Sequence, residues 1–345
     1  MISLAVKYRP QDWNSVIEQD TIKIILQQQL QSGNVKNAYL FCGPAGDGKT
    51  TCARIFANEI NHGEGNPIEL DAASHNGVDD VREVIKQAQT KSLDSEYKIF
   101  IIDECHSISN TGWQAFLKLL EEPPAKSVFI FCTTDPQRIP KTILSRVQRY
   151  DFSRISQFGI VQRLKWICDN EGITRYSDNG NKPDSNYADT SAIEYIAKIA
   201  DGHLRDAITM LDKCLAYSKD LTLENVTKAL GIADYSEMFK LLDSIVNKNF
   251  TDMLTLIESI YMNGKELKQF IKEFMNFVLD INKYKITKSF EFITIPEIYE
   301  SNLNEYLDTD LFHLLNVLIR LNADLKWEQF PKSVIESTLL VEVLE

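Results

Sequence analysis

Residues 38–60 read AYLFCGPAGDGKTTCARIFANEI, and this stretch decides the fold. Residues 43–50 (GPAGDGKT) match the motif G-x-x-x-x-G-K-[ST] at every fixed position. An apolar run at 38–42 precedes the motif, and apolar residues recur at helical spacing across 51–60. A strand that turns through glycines into a helix presents free N–H groups and a positive helix end to phosphate oxygens. The stretch therefore predicts a phosphate-binding loop between a strand and a helix.

The residues of this loop have expected places in nucleotide binding. Lys49 is predicted to reach the β- and γ-phosphates of ATP, and the Thr50 hydroxyl is predicted to bind Mg²⁺. Asp47 is a charged residue inside a polar loop, so we expect its side chain to face solvent. The predicted nucleotide contacts of the loop are Gly43, Pro44, Ala45, Gly46, Asp47, Gly48, Lys49, Thr50 and Thr51.

A second apolar run, KIFII at 98–102, leads directly into Asp103 and Glu104. Parallel strands of an open α/β sheet bring their carboxyl ends to one edge, where such sheets bind ligands. Asp103 is predicted to hold Mg²⁺, directly or through water, and Glu104 to polarise the attacking water as general base. Two acids beside an intact phosphate loop favour nucleotide hydrolysis over nucleotide binding alone.

The patterning divides the chain into an α/β part and a helical part. Short apolar strands alternate with amphipathic helices over the first 150 or so residues, which is typical of a parallel sheet flanked by helices. The turn-forming segment 175–190 predicts an exposed loop, and apolar stripes from about residue 236 predict a separate helical domain. The predicted strands are 38–42, 68–71, 99–103, 128–133 and 149–152.

Composition and charge argue against several classes of protein. The 345 residues, 25% of them charged, are typical of a globular protein of two or three domains. No apolar run approaches the roughly 20 residues that span a bilayer, and no secretory signal is visible, so we expect a cytoplasmic protein without a membrane partner. The net charge of −12 argues against bulk coating of nucleic acid. The six cysteines lack zinc-site spacing, which predicts reduced structural thiols.

Seven further stretches narrow the prediction. They are KYRP at 7–10, VIEQ at 16–19, DAASHNGVDD at 71–80, LEEPP at 120–124, TTDP at 133–136, ILSRVQ at 143–148 and DGHLRDA at 201–207. In this order they resemble the AAA+ clamp-loader ATPases of the bacterial DNA polymerase III gamma/tau family. The resemblance covers roughly residues 4–232. It implies a P-loop AAA+ core over 1–155, a small helical lid over 156–234 and an all-α collar domain, for oligomerisation, over 235–345.

The resemblance also implies roles for single residues. Thr134 falls at the sensor-1 position, Arg205 at sensor 2 on the lid, and Arg146 at the arginine finger that acts in trans on a neighbouring subunit. Each could instead be structural, as a strand hydroxyl, a surface helix residue and a helix-end cation. His106 is expected to pack or hydrogen-bond rather than to catalyse. The opening segment would enclose the adenine through Ala5, Tyr8, Pro10, Val16 and Ile17.

The function that the resemblance implies is an ATP-hydrolysing subunit of a DNA sliding-clamp loader. Such a subunit uses ATP and Mg²⁺ to open the clamp and load it on primer–template DNA. Its implied partners are copies of itself and delta- and delta-prime-like subunits in a pentamer, the clamp and the DNA. Ser109 could face DNA phosphates or could only cap a helix. The candidate DNA contacts are Arg82, Lys86, Ser109, Asn110 and Thr111.

The sequence departs from the family pattern, and two other functions stay open. The short linker 61–67 replaces the usual four-cysteine module, which predicts no zinc. Val147 replaces a cysteine beside the finger, 175–190 is an extra polar loop, and the end after the helical domain suggests a short gamma form. One alternative is a scaffold that binds nucleotide without needing turnover. Another is a different AAA+ motor, such as a branch-migration helicase or a replication initiator.

Overall fold

The chain forms two compact units in a computed structural model. The structure describes residues 2–75, 77–92, 94–175, 187–231 and 235–342. The first unit comprises 1–188 with 196–212, and the second comprises 189–195 with 213–345. The predicted division into core, lid and collar is finer than this and stays a prediction.

A five-stranded parallel sheet lies at the centre of the first unit. Its strand order is β2-β3-β4-β1-β5, and each neighbouring pair of strands is parallel. The strands are β1 at Ala38–Cys42, β2 at Ile68–Asp71, β3 at Lys98–Asp103, β4 at Ser127–Thr133 and β5 at Gln148–Asp151. All five predicted strands are therefore present within one residue of their predicted bounds, and their carboxyl ends lie at one edge of the sheet.

Helices cover both faces of this sheet. They are α2 at Asp20–Gln31, α3 at Lys49–Ile60, α4 at Val78–Ala88, α5 at Asn110–Glu121 and α6 at Lys141–Leu144. The first unit also contains α1 at Leu4–Lys7 and α7 at Gln157–Asn170. Successive residues of β1 point to opposite faces. Tyr39 and Phe41 pack in one core cluster with Phe56 of α3, whereas Leu40 packs in the other with Trp113 of α5. Burial on both faces explains why β1, β3 and β4 read as continuous apolar runs.

The segment 175–190, predicted to be an exposed loop, contains ordered and buried residues. Strand β6 at Thr174–Arg175 pairs in parallel with β7 at Tyr187–Ala188. Both residues of β7 are buried, and helix α8 begins at Thr190. The prediction is wrong here because polar neighbours in the sequence mask a tyrosine and an alanine that pack inside. Residues 176–186 lie outside the described residues.

Helices make up the remaining described chain. Helices α8 and α9 lie at Thr190–Ile199 and Leu204–Tyr217. The second unit then contains α10 at Leu223–Leu230, α11 at Tyr235–Val246, α12 at Phe250–Met262, α13 at Leu267–Thr287, α14 at Glu300–Glu305, α15 at Phe312–Asp324 and α16 at Pro331–Glu342. Single 3₁₀ turns occupy Trp13–Ser15, Cys105–Ser107, Pro136–Arg138, Phe290–Phe292, Glu297–Tyr299 and Leu325–Trp327.

The apolar stripes predicted in the second unit face its core. In α11 the buried residues include Met238, Leu241, Leu242 and Ile245, and α13 buries its stripe in the same way. Over the part of the chain that the structure describes, no helix is both long and apolar enough to cross a membrane. The predicted fold class, a parallel α/β core followed by a helical region, is confirmed.

Candidate nucleotide-binding site

The phosphate loop connects the carboxyl end of β1 to the first turn of α3. Residues 43–48 form the turn, and Lys49, Thr50 and Thr51 begin the helix. Gly46 and Gly48 have φ angles of +79° and +97°, a region that side chains with a Cβ rarely adopt. The motif glycines therefore let the chain curl tightly enough for α3 to begin immediately beyond the strand.

Lys49 is held by the loop itself. Its Nζ lies 2.8 Å from the Gly43 carbonyl oxygen and 3.0 Å from Asp47 Oδ1, and it also donates to the Pro44 carbonyl. The side chain is buried, so these contacts are made away from bulk water. The predicted phosphate ligand is therefore folded back on its own loop.

Asp47 does not face solvent, contrary to prediction. Its residue is 1% exposed, and its Oδ2 atom is buried without a hydrogen-bond partner among the described residues. A Cβ added to Gly43 would lie 2.5 Å from this oxygen, so the carboxylate packs against the glycine backbone. Burial raises the pKa of the Asp47 carboxyl, and Lys49 nearby acts in the opposite direction. The prediction failed because the loop wraps around Lys49 and turns the Asp47 side chain inward.

The acid pair follows β3 and lies against the first turn of α3. Thr50 Oγ1 donates to Asp103 Oδ2 at 2.7 Å, so the two predicted magnesium ligands are in direct contact. The backbone N–H of Glu104 donates to Asp103 Oδ1 at 3.0 Å. Hydroxyl and carboxylate oxygens are the ligands that Mg²⁺ prefers, and Thr50 and Asp103 therefore fit the ion.

Glu104 has a strained backbone and a constrained carboxylate. Its φ of +46° is uncommon for a residue with a Cβ, and such strain is often found at functional sites. Thr134 Oγ1 donates to Glu104 Oε2 at 3.1 Å, and His106 Nδ1 lies 3.3 Å from the same oxygen. His106 Nδ1 also lies 3.2 Å from Thr133 Oγ1. The structure thus brings the predicted base and the predicted sensor-1 residue together, with His106 as a hydrogen-bonding neighbour.

The two predicted arginines lie in different surroundings. Arg205 is in the first turn of α9, and a Cβ on Gly46 of the phosphate loop would lie 3.4 Å from Arg205 Cβ. Arg146 instead hydrogen-bonds Glu121 Oε1 at 2.5 Å, the Thr142 carbonyl oxygen at 2.6 Å and Ser145 Oγ at 3.2 Å. Among the described residues these bonding partners of Arg146 all lie outside the phosphate loop. Both arginines are exposed residues.

The opening segment packs beside α7. Val16 is buried, and a Cβ on Gly159 of α7 would lie 3.0 Å from Ile17 Cγ2. The Tyr8 carbonyl oxygen accepts a hydrogen bond of 2.6 Å from Arg163 Nη2. Sequence analysis missed Arg163, whose burial lowers its pKa, because a lone arginine in an amphipathic helix carries no distinguishing signal. The other predicted adenine contacts are Ala5 and Pro10, which are half-buried like Tyr8 and Ile17.

The candidate DNA contacts are at helix starts and on the surface. Ser109 Oγ accepts from the Gly112 N–H at 3.1 Å, so this hydroxyl caps α5. Arg82 forms an exposed ion pair of 2.9 Å with Asp79 in the first turn of α4. The remaining candidates, all exposed, are Lys86, Asn110 and Thr111.

Two family models match the chain. One, described as DNA polymerase III, delta subunit, covers residues 59–156, and the other, DNA polymerase III subunits gamma and tau domain III, covers 221–314. DNA polymerase III subunit tau of Bacillus subtilis (strain 168) is 32% identical over 95% of this chain and 61% of its own length. DNA polymerase III subunit gamma/tau of Mycobacterium tuberculosis (strain H37Rv) is 31% identical over 81% and 50%. The chain thus spans half to three fifths of these relatives.

A solved structure shares the fold. The Thermotoga maritima RuvB Holliday junction branch migration motor superimposes with a TM-score of 0.53, at 17% identity, over 75% of this chain and 86% of that one. This likeness shows the P-loop AAA+ fold alone. A shared fold does not carry over a function, because function depends on the residues of the site.

Proposed function

We propose, from the fact that the chain belongs to the DNA polymerase III gamma and tau family, that it hydrolyses ATP as a subunit of a DNA sliding-clamp loader. One observation carries the hydrolytic part of this proposal. Thr50 contacts Asp103 beside the phosphate loop, and Glu104 is held next to them by Thr134. A phosphate ligand, a metal-binding pair and a general base are the parts that phosphoryl transfer to water requires.

Thr50 and Asp103 would hold Mg²⁺ together. When bound there, the ion supplies positive charge to the phosphate oxygens and reduces their repulsion of an attacking water. The residues themselves provide the hydroxyl and the carboxylate, which the 2.7 Å hydrogen bond already keeps adjacent. Lys49 would exchange an acceptor within its own loop for the β- and γ-phosphates.

Glu104 is the group that accepts a proton from the attacking water. Its carboxylate shares one oxygen between Thr134 and His106, which fixes its direction before substrate arrives. The Thr134 hydroxyl can instead donate to a γ-phosphate oxygen, which would release Glu104 toward the water. This exchange is how Thr134 would sense the γ-phosphate.

The two arginines are proposed to act on different nucleotides. Arg205 lies against the phosphate loop of its own chain, where it would close over the phosphates as sensor 2. Arg146 is exposed and bonded to Glu121, and as a finger it would leave this partner for the γ-phosphate of a neighbouring subunit. Arginine fingers raise rates by roughly 10³–10⁵ in GTPases, and we expect less in a slow, DNA-gated motor.

Assembly and partners complete the proposal. Residues 1–155, 156–234 and 235–345 would be core, lid and collar, with the collar joining copies of the chain and delta- and delta-prime-like subunits into a pentamer. The ATP-loaded assembly would grip the open clamp around primer–template DNA in the cytoplasm. The start of α5 and the exposed Arg82 and Lys86 would contact DNA phosphates without reading sequence. Adenine would lie at the opening segment beside α7, and we expect no zinc.

The test is steady-state ATP turnover by the loader assembly, with and without clamp and primed DNA. We expect strong stimulation by clamp and DNA together, lost in Lys49→Ala, Glu104→Gln and Arg146→Ala. Arg138→Ala is the matched control, because this exposed arginine forms an ion pair with Asp135. Loss of stimulation in Arg138→Ala as well would contradict a specific finger role for Arg146.

The same assay separates the alternative functions. A scaffold would bind ATP without turnover, and Glu104→Gln would then change nothing. A branch-migration or initiator motor would hydrolyse ATP at a rate indifferent to the clamp. The RuvB likeness is one of fold, so it does not favour that motor over the clamp loader.

A further inference from the structure

The phosphate loop contains its own anion. Asp47 is the one acid in residues 43–50, and its Oδ1 atom lies 3.0 Å from Lys49 Nζ in a buried ion pair. The second carboxylate oxygen, Oδ2, is buried and accepts no hydrogen bond among the described residues. The charge of Asp47 is therefore compensated chiefly by the lysine that phosphate binding requires.

Every donor of Lys49 is already used. A lysine ammonium has three N–H donors, and here they go to the Gly43 carbonyl, the Pro44 carbonyl and the Asp47 carboxylate. A phosphate oxygen can bind Lys49 only by replacing one of these acceptors. Asp47 is the one acceptor of the three that itself carries a negative charge, so it is the acceptor that repels an incoming phosphate.

Asp47 also lies where an anion is favoured. It precedes the first residue of α3 by two positions, and helix N-termini attract negative charge. The features that attract a nucleotide phosphate thus act on the carboxylate as well. Once a phosphate is bound, the two negative charges lie close together in a poorly solvated loop, where repulsion is weakly screened.

We propose that Asp47 is an internal competitor for the nucleotide phosphates: its carboxylate holds Lys49 and weakens the binding of ADP and ATP. The inference rests on the proposed function in one respect, since it takes this loop as the nucleotide site. Asp47 is a positioning residue here, because it acts through Lys49. Repulsion of bound ADP also speeds product release and leaves the loop ready for the next ATP.

The experiment compares equilibrium binding of ADP, a non-hydrolysable ATP analogue and AMP to the full chain in Mg²⁺. Asp47→Asn keeps the side-chain size and removes the charge. We expect it to bind ADP and the ATP analogue about tenfold more tightly, because the amide oxygen can still accept from Lys49 but no longer carries a negative charge that repels the phosphates. AMP lacks the phosphates that reach Lys49, so its binding should not change. Asp20→Asn, an equal charge change at an exposed side chain, should match the wild type.

The outcomes separate this inference from the proposed function. If the wild-type chain binds nucleotide and Lys49→Ala abolishes this binding, the loop is supported as the nucleotide site. If Asp47→Asn then binds nucleotide with wild-type affinity, the inference about Asp47 alone is overturned. A wild-type chain that binds no nucleotide overturns both. An equal gain for AMP would also overturn the inference, because it would indicate a general structural change. If Asp47→Asn does not fold, Asp47→Thr replaces it with the same expected gain, and absence of that gain counts against the proposal.

Discussion

If Arg146 acts as the proposed finger, replacing Glu121 by glutamine should make it easier to engage. In the structure Arg146 Nη2 lies 2.5 Å from Glu121 Oε1, and Nη1 lies 2.6 Å from the Thr142 carbonyl oxygen. A finger that acts on a neighbouring subunit has to give up these bonds. Glutamine keeps the length of the side chain and removes the charge. Arg146 would therefore be held more weakly, and its bond to the Thr142 carbonyl oxygen would be the strongest one left.

The exposure of the pair sets the size of the effect. The Arg146 and Glu121 side chains are 33% and 52% exposed, so solvent screens their attraction. Exposed ion pairs contribute at most about 1 kcal/mol, which corresponds to a factor of about five in an equilibrium. We therefore expect Glu121→Gln to raise the clamp- and DNA-stimulated turnover about two- to fivefold.

The assay is ATP turnover by the assembled loader at saturating ATP, clamp and primed DNA. Glu122→Gln is the matched control, since it changes the next residue, also exposed, by the same charge. In an Arg146→Ala background the gain should disappear, because there is no finger left to release. A Glu121→Gln rate equal to that of Glu122→Gln, or a gain that survives without Arg146, would refute the reasoning.

Three other predictions follow from single contacts. Thr134→Val removes the hydrogen bond to Glu104 and the hydroxyl proposed to sense the γ-phosphate, and it should lower kcat about tenfold, as rapid-quench measurements would show. Burial raises the pKa of the Cys42 thiol to about 11, so at pH 8 iodoacetamide should label this cysteine in denaturant and not in the native chain. Trp113→Ala should lower the free energy of unfolding by about 3–5 kcal/mol, measured by urea titration, because Trp113 is 2% exposed; Trp327→Ala, at an 84% exposed site, should have little effect.

The sheet and the phosphate loop could be predicted because their signals are local. The three central strands β1, β3 and β4 are buried on both faces and read as apolar runs, so their bounds follow from composition within one residue. The motif fixes glycines at Gly43 and Gly48, where the backbone has positive φ. The contact between Thr50 and Asp103 follows from the same local signals, because the phosphate loop after β1 and the end of β3 lie at one edge of the sheet.

Contacts between distant or unmarked side chains could not be predicted. The bond from Arg163 to the Tyr8 carbonyl joins residues 155 positions apart, and nothing in either neighbourhood specifies it. Asp47 shows a different failure, because the polarity of the loop suggested exposure while the ion pair with Lys49 turned the side chain inward. The prediction of an exposed loop at β7 was wrong for a similar reason, since its two buried residues are surrounded by polar ones in the sequence.

Lys49 and Arg146, the two cations proposed to act on phosphates, are each paired with an acid of the same chain. This pairing suggests how ATP hydrolysis is limited when clamp and DNA are absent. Lys49 is held by Asp47, and Arg146 is held by Glu121. A ligand shifts an equilibrium only by its differential affinity for the two states, so nucleotide has to replace the first pair and a neighbouring subunit the second. The two pairs share no residue, and their effects should therefore add. A chain carrying both Asp47→Asn and Glu121→Gln should combine the tighter nucleotide binding of one with the faster stimulated turnover of the other. If the double variant showed no change beyond that of one single variant, the two cations would be released in one coupled step.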